Sequence, residues 1–197
     1  MRDRRLLSAL AAALLLAAAP LAAHAMSHEE DEGAEVRQVD PGDGSSPPVT
    51  RAVAVLHPTE GHDARGVARF EAVEHGLRVV IEMQGLEPGA HGTHVHLLGD
   101  CTAPDGTSAG THFNFLGSSK SPPADIDRIT GDLGNVEAGP DGAARHEATI
   151  AAASLQGPFS ILGRAVVVHA KPNDPGQPPI GAAGGRQACG VIGIDEE

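Results

Sequence analysis

The chain has 197 residues and a formal net charge of −12, with 26 acidic against 14 basic residues. That acid excess excludes nucleic-acid binding as a main role, and any anion site must overcome a repulsive background with local positive charge. With 25 glycines and 15 prolines but only four phenylalanines, no tryptophan and no tyrosine, the composition disfavours an all-helical domain and suits short strands joined by many turns.

Residues 1–25 read as a secretory signal. Met1-Arg2-Asp3-Arg4-Arg5 is a positive start, Leu6 to Ala22 is almost continuously apolar, and Ala23-His24-Ala25 has the small-x-small form of a cleavage site. A retained anchor is the competing reading, but the run is short for a bilayer span and Pro20 interrupts it. Cleavage before Met26 would remove three arginines and one aspartate, taking the charge from −12 to −14 and leaving no membrane segment. Residues 26–48 are acidic and rich in Pro, Gly and Ser, as expected of a disordered linker in which His28 is solvated. The remaining domain spans 49–197.

Within it, Arg51 to His57, Gly66 to Ala72 and Gly76 to Met83 alternate as strands, and a fourth is expected at about Gly92 to Leu98. Gly99 to Thr130 follows with little periodicity; a stretch that long inside a compact domain indicates a functional loop. Asp132 to Val136, Ala143 to Ile150 and Arg164 to His169 give three more strands. A second irregular stretch, Ala170 to Gly185, precedes an eighth strand at Cys189 to Ile194. The expected fold is all-β: an eight-stranded antiparallel Greek-key sandwich or flattened barrel with two long functional loops. Cys101 and Cys189 form an even pair, which in an exported chain suggests one disulfide, two buried thiols being the alternative.

His94-Val95-His96 puts two imidazoles on one face of a strand, able to converge on one ion. His112 follows small residues in the long loop, and His169 ends an apolar strand, where a buried ring needs a partner. Imidazole-rich donors with few carboxylates suit copper. His57, His62, His75 and His146 sit at turns or strand ends without partner spacing and read as structural.

Taken in order, the segments GLEPGAHGTHVH (Gly85 to His96), Gly99-Asp100-Cys101, SAGTHFN (Ser108 to Asn114), GDLGNV (Gly131 to Val136), GRAVVVH (Gly163 to His169) and GGRQACGVIG (Gly184 to Gly193) resemble the copper/zinc superoxide dismutases. The likeness covers about Val49 to Ile194. It implies that His94, His96, His112 and His169 are copper ligands, that Cys101 and Cys189 are joined, and that Arg186 guides superoxide while His91 supports the site from behind. It also implies conversion of superoxide to dioxygen and hydrogen peroxide by Cu(II)/Cu(I) cycling, with His112 handling the proton.

The departure lies in the zinc half. Asp132 is present, but Lys120 stands eight residues after His112 and Ile129 three before Asp132, where the family has histidines. Two ligands fall short of the four of a structural zinc site, so a copper-only form is expected, with zinc doubtful. Lys120 either places its ammonium near Asp132 or is solvated, and the second nitrogen of His112 would face Asp132 or Asp174. The other functional reading is a periplasmic copper-binding or storage protein on the same scaffold, favoured by the missing zinc ligands and by Thr93, where an aromatic is common in the family. No sequence patch marks a subunit interface.

Overall fold

Strands arise wherever β-branched and apolar residues alternate with charged ones between glycines and prolines. In the computed structural model, residues 48–116 and 128–195 are described, all within one compact unit, Ser45–Glu197. The proposed signal, the linker up to residue 47 with His28, and Lys120 lie outside the described residues.

Eight strands are present: β1 (Arg51–Pro58), β2 (Arg65–Val73), β3 (Gly76–Gln84), β4 (Gly89–His96), β5 (Asp132–Ala138), β6 (Ala144–Ile150), β7 (Ala165–His169) and β8 (Arg186–Ile194). Every pairing is antiparallel, in the order β5-β4-β7-β8-β1-β2-β3-β6. Consecutive strands β3 and β4 are not neighbours, nor are β6 and β7; these are the crossovers of the expected Greek-key barrel. The two end strands, β5 and β6, face each other, and His146 of β6 donates from Nε2 to Leu133 O of β5 at 3.0 Å, across the seam.

Two strands begin three residues earlier than expected. β4 is Gly89–His96 rather than Gly92 to Leu98, because β5 pairs back to Gly89↔Ala138 at one end. At the other end the loop takes over the ladder: Leu97 N donates to Thr111 O and Leu98 N to Ala109 O. β8 begins at Arg186, whose partner is His169, so this arginine opens a strand and does not belong to the preceding loop.

β7 explains the architecture near the site. All five of its residues are buried. Val166 and Val168 point into the barrel core with Val95, Leu133, Val136 and Ile192. Ala165 and Val167 point outward into a second, smaller apolar cluster with Cys189, Ala109 and Cys101. The long loop therefore covers the outer face of β4, β7 and β8 and makes that face a second interior.

Candidate metal centre

Alternation along β4 sends Val95 into the barrel and His94 and His96 to the covered outer face. Antiparallel pairing of His94 with Val167 and His96 with Ala165 sets them beside β7, whose last residue is His169. His112 comes from the loop, which returns along β4: His96 and His112 form an isolated bridge and Phe113 N donates to Val95 O. Gly131 makes this approach possible. It has φ 68°, its carbonyl accepts from Val95 N, and a Cβ there would strike the carbonyls of Val95 and Phe113.

The four rings form one cluster. Every pair offers donor atoms within 4.8 Å, and centroid separations run from 3.9 Å for His94–His112 to 6.4 Å for His94–His96. All four are buried, at 0% exposure for His94 and 5% for His169. Burial is the main reason their pKa values fall: His94 well below the usual imidazole range, His96 to about 2, His112 to about 3 and His169 to about 4. At neutral pH all four rings are uncharged.

Backbone carbonyls orient two of them. His96 Nδ1 donates to Gly110 O at 2.9 Å and His169 Nδ1 to Gly184 O at 3.1 Å, so each turns its Nε2 inward, where the two Nε2 atoms lie 3.2 Å apart. The carbonyls of Thr130 and Pro179 act on His112. His91 supports the group from behind, its ring nitrogens 2.8 Å from His169 O and 2.8 Å from Glu87 O. Neither nitrogen of His94 meets full hydrogen-bond geometry, although the Asn173 side chain acts on the ring. A fully buried imidazole in that condition is costly unless something binds it. Four neutral imidazoles whose donors converge fit a metal ion of copper type.

Arg186 sits half-buried beside the cluster and donates to the carbonyls of Gly106 and Gly110. Gly110 O thus serves both Arg186 and His96. The guanidinium is near enough to depress protonation of His96, His112 and His169. Cys101 and Cys189 form a disulfide with Cα atoms 5.8 Å apart and a sequence separation of 88, tying the loop to β8.

The residues around Asp132 make other contacts. Ile129 packs over Gly181, where an added Cβ would lie 2.8 Å from Ile129 Cδ1. Asp132 Oδ1 accepts from Gly134 N at 2.8 Å and from Asn173 Nδ2 at 2.8 Å. Asp174 is exposed and spent on its own turn, accepting from Gly176 N and Gln177 Nε2. Among the described residues the four histidines are the one His/Cys/Asp/Glu group able to hold a metal. Sequence reasoning missed Asn173, since an asparagine in a Pro/Gly-rich loop reads as a turn former. His57, His62 and His75 lie away from the cluster, as expected, and are exposed.

A Greek-key barrel carrying four buried histidines whose donors converge under a disulfide-tied loop has the form of a metal-binding protein. The family model for copper/zinc superoxide dismutase (SODC) matches residues 64–192, and the chain belongs to that family.

Proposed function

We propose that this chain is an exported, copper-dependent superoxide dismutase that works without a zinc ion. The observation that carries the reading is the cluster of four neutral, buried imidazoles with a guanidinium beside it. In this reading residues 1–25 are a cleaved signal, 26–48 a linker, and 49–197 the catalytic domain of a periplasmic or secreted protein. The disulfide agrees with an oxidising compartment.

His94, His96, His112 and His169 would hold the copper. Bound there, copper supplies one-electron redox chemistry, so that two superoxide ions and two protons give dioxygen and hydrogen peroxide. The residues do the rest. Arg186 attracts the anion with a permanent charge in a chain that is otherwise strongly acidic. Its hydrogen bonds to Gly106 and Gly110 keep that charge in place. His112 belongs to the loop and not to a barrel strand, and we assign to it the proton that the reduced oxygen must receive. The carbonyls of Thr130 and Pro179 supply acceptors for its N–H. Zinc is left out because Lys120 and Ile129 stand where the family has histidines, and Ile129 offers no ligand atom.

The test is metal content and superoxide consumption measured on one sample of disulfide-intact protein after loading with copper and zinc. About one copper, no tightly held zinc and rapid superoxide loss is the expected result. Copper without activity would move the assignment to a copper-binding or storage protein, and stoichiometric zinc would overturn the zinc-free reading.

A further inference from the structure

Three stretches of chain bring the four histidines together: β4 carries His94 and His96, the long loop His112, and β7 His169. One side chain touches or adjoins all three. Arg164 immediately precedes β7, and its backbone is fixed there, N donating to Ile161 O at 3.1 Å and O accepting from Ile192 N at 2.8 Å. Its Nε donates to Ser160 O at 2.9 Å. Its Nη1 donates at 2.7 Å to the carbonyl of Leu97, the residue after His96. The guanidinium carbon lies 3.5 Å from the ring centroid of Phe113, the residue after His112. A planar guanidinium can stack with its face while it donates from its edge, which an ammonium cannot do.

We propose that Arg164 is a positioning residue for His112, a clamp that sets the loop histidine against the three strand histidines by holding Phe113 to Leu97. Neighbouring residues of an extended chain point to opposite sides. His112 turns to the histidine cluster, and Phe113, 6% exposed, turns to the barrel core. A ring pinned on one side therefore fixes the imidazole on the other. Two backbone hydrogen bonds flank His112 and join the loop to β4: Leu97 N donates to Thr111 O at 2.7 Å and Phe113 N to Val95 O at 2.8 Å. Arg164 closes over the same two residues, Leu97 and Phe113, whose N–H groups make those bonds. Arg186 braces the loop before His112, at Gly106 and Gly110, and Arg164 braces it after. Of the four histidines His112 alone comes from a loop, so its placement depends most on such ties. Without the clamp, His94, His96 and His169 keep their strand positions while His112 can swing away.

The clamp rests on the copper reading for its purpose, but its action is testable without metal. In metal-free, disulfide-intact protein, hydrogen exchange at the Leu97 and Phe113 amides should be about tenfold or more faster in Arg164→Met, with the β2–β3 ladder at parent rates. Copper release from loaded protein to a chelator should be about 10- to 100-fold faster. Arg164→Lys keeps a cation near the ring but loses the planar fork, and should lie between. Phe113→Leu should reproduce the faster release, and adding Arg164→Met to it should change little, because the arginine acts through the ring. Exchange confined to the loop, together with that non-additivity, separates positioning from general stability, and a urea midpoint for each variant confirms folding. Exchange that rises equally in the β2–β3 ladder, copper release within about twofold of the parent in Arg164→Met, or additive effects would overturn the proposal. If the parent takes up no copper, the copper reading fails, while the exchange measurement still decides whether Arg164 holds the loop.

Discussion

Arg186 carries two duties that a substitution can separate. Its charge faces the histidine cluster, and its hydrogen bonds to Gly106 and Gly110 hold the loop whose Gly110 carbonyl also orients His96. Arg186→Ala removes both and should slow superoxide consumption at low salt by on the order of tenfold or more. Arg186→Lys keeps the charge and loses the two-pronged geometry, so an intermediate rate is expected. Rates equal to the parent in both variants, from stopped-flow traces across a salt series, would remove Arg186 from the reaction. The charge of Arg186 could be read from sequence by resemblance, but its donors' partners could not. They are backbone carbonyls of residues 76 and 80 positions away, and no side-chain motif announces a carbonyl.

The elements near the site are held by an interior outside the barrel. Val167 is fully buried between β7 and the loop. Val167→Ala should cost about 2 kcal/mol from the lost apolar contact and the cavity, read as a shift in the urea midpoint. Replacing both Cys101 and Cys189 by serine should cost about 4 kcal/mol, the entropy returned to an unfolded chain no longer closed at that separation. A smaller loss would mean that the unfolded chain is already compact. The element pattern was largely legible because Arg51 to His57, Gly66 to Ala72 and Gly76 to Met83 alternate, one face in the core and one in water. The ends of β4 and β8 were not legible, because each turns on a pairing partner distant in sequence. Gly89 is a strand residue because Ala138 meets it, and Arg186 because His169 does. Arg164 shows the same limit. It donates to Ser160 O and Leu97 O and lies 3.5 Å from the Phe113 ring, a tie across the loop that the sequence places only as the start of a strand.

The whole metal-free molecule should be acid-sensitive. In the unfolded chain the four histidines titrate near 6.5, whereas folded His96, His112 and His169 do so at about 2, 3 and 4, and His94 well below 6.5. Above about pH 6.5 both states are neutral at these rings and stability is full. As pH falls below that, the unfolded chain binds protons that the folded chain refuses. Stability then drops by about 1.4 kcal/mol per histidine per pH unit, so four rings can exhaust the usual 5–15 kcal/mol within a few units. Urea midpoints of metal-free protein should therefore decline steadily from pH 6.5 toward 4. A flat profile between 7 and 5 would mean that the folded rings accept protons. Bound copper, competing for the same lone pairs, should move the decline to lower pH.

The covered outer face also gives the molecule a history. The histidines lie beneath a loop fastened at one end by the disulfide and braced by Arg186, and no ring is more than 5% exposed. Lifting that loop would open the cluster to an entering ion, and the disulfide makes lifting rarer without changing the ligands. The order of events then decides the outcome. Copper offered before the cysteines join should enter quickly, and copper offered afterwards slowly, with departure slowed to match. The metal content of a preparation would record when the loop was fastened, and not merely how much copper was present at the end.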